Sequence, residues 1–401
     1  MEAHLADREG RGGPPAHHRR DRRLPLGRRF SAMTKTYTPA EVFPPGEYLR
    51  DELDERGWTV TEFAGIIDRP LQAVSEILNG KKAITAETAC SFSEALGTTP
   101  ELWLNLQSAY RLHRLRSAAT QDHPSPVARR ARLREVIPLA EVRSRGWIPQ
   151  TDDLDVTEAA VCELLEINAL DDDPAFALAA RRSNSTDPIS IEQSAWLGHV
   201  RRVAEGQAVA DFAVDALEEL AQRLPKLLRD GPAGLPGLPS LFGDCGVCLV
   251  FAQGLRGGKL DGAVTFLTDD RPAIGLTTRG DRFDSLLYTL LHECAHLTLG
   301  HIDSQDGTIL DDDLRALRDD PAGVDDPAEI EADEQASAWL FPRGFYIKST
   351  SVPAIVEASS RYEVHPSVVV GRVQYETQNW SRYRNRIPKV RPELQDAGLL
   401  S

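Results

Sequence analysis

Two histidines and a glutamate, His292, Glu293 and His296, stand in the order His-Glu-x-x-His inside an apolar stretch from Leu286 to Leu299. If that stretch is helical, His292 and His296 lie one turn apart, and both imidazoles reach a single metal ion. Glu293 falls about 100° further round, where its carboxylate reaches a water beside the ion without binding the ion. Metal-assisted hydrolysis of an amide needs this arrangement. The cation, Zn²⁺ or Mn²⁺, acidifies water toward a pKa of about 7, and a carboxylate takes the proton and passes it to the leaving amine. Histidine and glutamate inside an apolar helix are costly unless a metal or a polar partner satisfies them.

Such a site requires one more protein ligand and an open coordination position. One class of zinc peptidase takes a histidine six residues beyond the second, but position 302 is Ile. His301 is one residue short and reads as a surface or outer residue, with direct ligation as its alternative. A second helical pattern, from Pro327 to Pro342, carries Ala332, Ala336, Trp339 and Leu340 as its apolar stripe. Glu329 falls at the centre of that stripe and Glu331 about 135° away, so Glu329 is the expected third ligand and Glu331 the alternative. Asp333, one turn beyond Glu329, is placed to hydrogen-bond a ligating histidine. Tyr288 and His365 are open candidates for an oxyanion donor, beside purely structural roles. Cys245 and Cys248 have C-x-x-C spacing but no second pair, and read as buried thiols.

The elements that must position these groups are short strands at Val247 to Phe251, Ala263 to Leu267 and Ala273 to Thr277, then a long helix from Phe283 to Leu299 that stops at Gly300. An exposed strand edge there would let an extended peptide pair with the sheet and present its carbonyl. Val352 to Trp380 reads as helical again. The segment His292 to His296, the pattern Glu329-x-x-Ala332-Asp333 and the run Trp339 to Pro342 resemble the ImmA/IrrE metallopeptidases over about residues 240 to 375. That resemblance implies a small zincin core and proteolysis of repressor proteins. Gln335 stands where the family usually has an aromatic residue, and Cys294 is unusual between the histidines.

A different chemistry is written near the other end. Thr59 to Ile67 and Pro70 to Asn79 read as two short helices joined by Asp68 and Arg69, the layout of a helix-turn-helix. Thr59 with Glu62 forms a capping-box pattern, and Gly57 and Gly80 sit where helices stop. Val74, Ile77 and Leu78 face inward, so Arg69, Gln72, Ser75, Glu76 and Asn79 face out. Gln72 and Asn79 carry the amides that pair with adenine, while Lys81 and Lys82 are placed for phosphates. Five short helices fit between Pro44 and Arg116. The runs Pro45 to Leu49, Leu78 to Lys82, Ile84 to Ala89 and Leu102 to Gln107 resemble HigA-type antitoxins of the XRE group. This resemblance implies a lambda-repressor-like fold, a homodimer, operator DNA and a neighbouring HigB-type toxin. From Pro45 to Arg116 there are eight basic and eleven acidic residues, so a module that binds only protein is the alternative.

The 401-residue chain predicts two or three domains. Its hydrophobic content of 41% suffices for packed cores, and its net charge of −15 excludes a protein that coats nucleic acid through its overall field. No run approaches the roughly 20 apolar residues of a membrane helix. Five scattered cysteines fit a reducing compartment, so a cytoplasmic protein is expected. The expected organisation is a disordered tail over 1–37 (with Met33 as an alternative start), a helix-turn-helix over 38–116, a helical linker domain over 117–238, a metallopeptidase over 239–385 and a tail over 386–401. Nine Asp between Asp303 and Asp326 read as a solvated loop without EF-hand spacing. The fold class is mainly α with a small α+β zincin-like domain. The function expected is a DNA-binding regulator fused to a zinc endopeptidase that cleaves a repressor or antitoxin; the alternative is an antitoxin-type transcription factor whose metal domain senses without cutting.

Overall fold

A computed structural model describes residues 42–118, 124–178, 180–182, 189–302, 307–312 and 326–400. The expectations for residues 1–37, and for most of the Asp-rich run, lie outside them. The chain divides into two compact units, Met1–Gln121 and Asp122–Ser401.

The first unit is five helices: α1 (Pro45–Arg56), α2 (Val60–Ile66), α3 (Leu71–Leu78), α4 (Ala86–Leu96) and α5 (Pro100–Ala118). Local chemistry sets their ends. Gly57 closes α1 in the left-handed region at φ 66°, which glycine adopts without a Cβ clash. Thr59 and Glu62 form a complete capping box on α2. Leu49, Phe63, Val74, Phe92 and Trp103 fill the core, with Phe92 edge-on to Trp103 at 5.3 Å. The buried Trp103 indole N–H donates to Thr98 Oγ1 at 2.8 Å.

The second unit opens with α6 (Pro126–Val136), α7 (Leu139–Ser144), α8 (Leu154–Leu165), α9 (Ala175–Leu178), β1 (Ala180–Arg182), α10 (Ile191–Glu205), α11 (Val214–Leu227) and α12 (Leu238–Asp244). There follow β2 (Cys248–Ala252), β3 (Leu260–Phe266), β4 (Pro272–Thr277), α13 (Phe283–Thr298), β5 (Thr308–Asp312), α14 (Pro327–Leu340), α15 (Val352–Tyr362), α16 (Pro366–Thr377) and α17 (Arg391–Asp396). The five strands form one sheet in the order β1-β5-β3-β4-β2. β3 runs antiparallel to β4 and β5, whereas β2 with β4 and β1 with β5 are parallel pairs. Strand alternation sorts the sheet's side chains into two cores. Leu249, Phe251, Val264, Ile274, Leu276 and Ile309 pack with α11 to α14 and α16, while Val250, Ala252, Ala263, Ala273 and Leu310 pack with α6, α8 and α10.

Several expectations change here. The segment 117–238 is not a separate linker, because Leu133, Val161, Trp196 and Val200 fill the core under the sheet, and β1 belongs to the sheet itself. Residues 207–213 are not helical, with Ala210 N donating to Gly243 O at 2.9 Å, and the helix begins only at Val214. Thr308–Asp312, expected as loop, is strand β5: Ile309 and Leu310 point to opposite cores. Val352 to Trp380 is two helices, parted by Glu363 at φ 54°. Nor is 386–401 a tail, since Val390 and Leu394 are buried in the sheet-face core and Asp281 Oδ1 accepts from Val390 N at 3.0 Å. No described helix is long and apolar enough to cross a membrane.

Candidate metal centre and nucleic-acid interface

α13 lies between the sheet and α14, and all but a few of its side chains are buried. α14 starts at Asp326, whose side chain accepts from Ala328 N at 3.0 Å, with Pro327 in the first turn, where a missing N–H costs nothing. Its apolar stripe of Ala332, Ala336, Trp339 and Leu340 turns Glu329 inward against α13. His292, His296 and Glu329 thereby offer three ligand atoms within 4.8 Å of one another, the one such group among the described residues. His292 Nε2 is 3.0 Å from His296 Nε2 and 3.2 Å from Glu329 Oε2, and His296 Nε2 is 3.6 Å from Glu329 Oε1. A tetrahedral site with bonds of about 2.0–2.1 Å has edges of about 3.3–3.4 Å, so these separations fit one small divalent cation.

The far side of each ring fixes which nitrogen holds the proton. Asp333 Oδ1 lies 2.9 Å from His292 Nδ1 and also accepts from Tyr288 Oη at 2.7 Å. A carboxylate only accepts, so His292 Nδ1 carries a proton, and in the neutral ring its Nε2 presents a lone pair. For His296 the partner is His301, with the two Nδ1 atoms 3.1 Å apart, and His301 Nε2 donates to Glu331 Oε2 at 3.2 Å. With Glu331 accepting, His301 Nδ1 is an acceptor; His296 Nδ1 must donate to it, and His296 Nε2 is again left with a lone pair. With both rings neutral in these tautomers, the two Nε2 lone pairs and the Glu329 carboxylate converge, and a cation would relieve that contact. Burial first, then His292 and His301, pushes the His296 ring down to about 2, so it is neutral, as a ligand must be.

Glu293 is buried above β3. A Cβ on Gly262 would meet Glu293 Oε1 at 1.9 Å, so glycine at this strand position makes room for the carboxylate. Glu331 is 65% exposed, stands outside the group of three donors and reaches His301 instead. Tyr288 is turned to Asp333, on the Nδ1 side of His292 and away from the converging nitrogens. His365 caps α16, accepting from Ser367 N at 3.1 Å, and stacks edge-on against Phe283. Burial pushes its ring down in pKa. Cys245, Cys248 and Cys294 are buried thiols whose pKa burial raises. The His301–Glu331 link was not readable from spacing, because the two residues meet only when α14 docks on α13.

In the first unit Arg69, Gln72, Asn79, Lys81 and Lys82 are exposed on and beside α3, with Ser75 half-buried between them. Two of the expected base-reading amides are engaged within the helix: Gln72 Nε2 donates to Glu76 Oε1 at 3.1 Å, and Asn79 Nδ2 to Ser75 O at 2.7 Å. Asn79 Nδ2 also reaches Ser75 Oγ at 3.4 Å, so Gln72 keeps a second N–H and both side chains keep their carbonyls for another partner.

The helix-turn-helix family HTH_3 matches residues 49–103. An uncharacterized HTH-type transcriptional regulator of Escherichia coli, YddM, is 38% identical over 68 residues, which is 17% of this chain and 72% of that protein. This chain belongs to the helix-turn-helix family. Virulence-associated protein A′ of Dichelobacter nodosus is 42% identical over 69 residues, 17% of this chain and 60% of that protein. Among solved structures, the antidote protein of a HigA family from Coxiella burnetii is 35% identical, covering 20% of this chain and 97% of that one, with a TM-score of 0.18. Pseudomonas aeruginosa PA4674 in complex with its operator DNA is 29% identical, covering 20% and 88%, with a TM-score of 0.20. These likenesses take in about a fifth of the chain, so the helix-turn-helix assignment speaks for the first unit and the second rests on its own geometry.

Proposed function

We propose that this protein is a DNA-binding regulator whose second unit is a zinc-dependent endopeptidase acting on a repressor or antitoxin protein. One observation carries the peptidase reading: two buried imidazoles and one inward carboxylate bring three ligand atoms within 4.8 Å of one another, beside the buried Glu293. His292, His296 and Glu329 would hold the cation, which, when bound, supplies Lewis acidity that activates water and polarises a carbonyl at neutral pH. Glu293 is the base: its carboxylate takes a proton from the attacking water and returns it to the amine that leaves. Asp333 and the pair His301 and Glu331 hold the two rings in the tautomers that expose Nε2. The ImmA/IrrE resemblance supports a repressor-like protein as substrate.

Membership of the helix-turn-helix family and the exposed Arg69, Lys81 and Lys82 support operator binding, with a homodimer as the form that reads a palindrome and a HigB-type toxin as a partner. Neutralising Lys81 and Lys82 together is expected to weaken binding on all sequences alike and to lower the salt slope by about 2. A second reading, metal sensing without cleavage, is favoured by the burial of the site: His292, Glu293 and His296 are 0% exposed and Glu329 is 3%.

The experiment is metal analysis of purified full-length protein, beside co-expression of parent and Glu293→Gln with repressor and antitoxin proteins of the same host. The peptidase reading requires stoichiometric metal in both forms and a defined cleavage fragment with the parent only. Metal retained and an unchanged biological output in Glu293→Gln would leave the sensor reading standing.

A further inference from the structure

A cavity of about 340 Å³ opens beside the carboxyl ends of β2 and β4, and none of His292, His296 and Glu329 lines it. It is walled by the loop 253–259 after β2 and by residues 279 and 280 after β4. β2 and β4 are one of the two parallel pairs, and crevices at the carboxyl ends of parallel strands are where α/β sheets bind small molecules. The volume lies near the small end of the range of about 300–1,000 Å³ typical of ligand sites.

The charge of this wall runs against the rest of the chain. The protein holds 61 acidic and 46 basic residues, yet four cations, Arg145, Lys259, Arg279 and Arg391, line the cavity with a single carboxylate, Glu192. They come from four separate places in the sequence. Three of them donate to backbone carbonyl or hydroxyl oxygens, which position a guanidinium, and two of the three also have a carboxylate in ion-pair range. Arg391 Nε and Nη2 donate to Thr278 Oγ1 and Thr278 O, both at 3.1 Å. Arg279 Nη1 donates to Lys259 O at 2.7 Å, with Asp261 at 3.8 Å. Arg145 donates to Gln253 O and to Gly254 O at 2.9 Å, lies over Trp147, and is the one of the three held by a close carboxylate, Glu141 at 2.7 Å. The Lys259 side chain is exposed, on a backbone at φ 51°. Gly257 and Gly280, at φ 92° and 83°, add backbone to the rim without side chains that would fill it.

We propose that this cavity binds a phosphate monoester with a hydroxylated body, the phosphate held by Lys259, Arg279 and Arg391 and a hydroxyl donating to Glu192. Planar, pre-fixed guanidiniums match phosphate oxygens, and a lone carboxylate beside them suits a hydroxyl donor rather than a second anion. The site is separate from the metal centre and does not depend on the peptidase reading.

Isothermal titration of the full-length protein with inorganic phosphate, ribose 5-phosphate and ribose tests it. Phosphate and ribose 5-phosphate are expected to saturate, the ester more tightly, and ribose to give no binding. Lys259→Gln and Arg391→Gln should each weaken both phosphates by at least about tenfold, the low end for a hydrogen bond to a charged group. Glu192→Gln should weaken the ester and leave or improve inorganic phosphate. The double variant Lys81→Gln, Lys82→Gln, on the first unit, should change neither. Absence of saturable binding to millimolar concentration, or equal affinity in the parent and Lys259→Gln, overturns the proposal. Lys259 decides the matter if Arg391→Gln fails to fold, because the lysine side chain is exposed and its replacement disturbs no hydrogen bond given above.

Discussion

Replacing Asp333 by alanine removes the acceptor behind His292 without touching an atom that faces the shared point. His292 Nδ1 then loses a 2.9 Å bond to a carboxylate, and its ring is fully buried. A hydrogen bond to a charged group contributes about 1.5–3 kcal/mol. Asp333 is 40% exposed, so solvent screening puts the loss in the lower half of that range, about 1.5–2 kcal/mol. At 1.4 kcal/mol per tenfold, Zn²⁺ affinity falls by about 10–30-fold, within the 10–100-fold expected for a group behind a ligand. Competition against a chelating dye reads this directly on the full-length protein. Tyr288→Phe should cost less, because Asp333 still holds the ring. Zinc affinity of Asp333→Ala within about twofold of the parent, while Glu329→Ala abolishes binding, would refute the tautomer argument.

On the other ring, His301→Leu should lower zinc affinity about tenfold, and His301→Gln, whose amide both accepts and donates, should restore part of it; equal affinities in the two variants would count against a positioning role. Gly262→Ala forces a Cβ into the space of Glu293 Oε1, 1.9 Å away, and of Thr289 Cγ2, 2.8 Å away. Overpacking of this kind costs about 1–3 kcal/mol, and thermal denaturation of metal-bound protein should show it, together with loss of cleavage. Thr59→Ala breaks the α2 capping box and should destabilise the first unit by about 1 kcal/mol in denaturant titrations. His199, stacked on Trp147 at 4.0 Å, is pushed down by burial, then by Arg202 and Arg145, from 6.5 to about 3. Between those values the unfolded chain binds a proton that the fold does not, so the associated stability is complete above pH 6.5 and is lost as pH falls toward 3. His199→Phe keeps the stack and should flatten the fall in stability between pH 6.5 and pH 5; an unchanged slope would show that His199 is not its source.

The meeting of His292, His296 and Glu329 was legible because the two histidines are spaced one helical turn apart and an acidic residue at the centre of an apolar stripe must face inward. The five helices of the first unit were legible for a different reason: Thr59 and Thr85 cap α2 and α4, left-handed Gly57 and Gly97 close α1 and α4, and these act locally. What escaped notice depends on tertiary pairing. β5 has only Thr308, Ile309 and Leu310 before its acidic neighbours, too few to set a period of two, and it becomes a strand because β3 offers an edge. β1 is three residues long and pairs with β5 from across the sequence. The C-terminal segment holds just Val390 and Leu394 as deep anchors, sparse enough to pass for a tail. The role of Glu331 was hidden because it works through His301, and no single-helix projection brings those two together.

Three alternate residues of α14 serve the two histidines of α13 in turn: Glu329 beside both Nε2 atoms, Glu331 through His301, and Asp333 behind His292. All three distances depend on one mechanical variable, the slide and rotation of α14 along α13. A cation seated between the helices would act as a rivet, and its binding energy would add to the docking of α14. Conversely, anything that shifts α14 by one residue along α13 would displace Glu329, Glu331 and Asp333 together, whereas single substitutions behind the rings act one at a time.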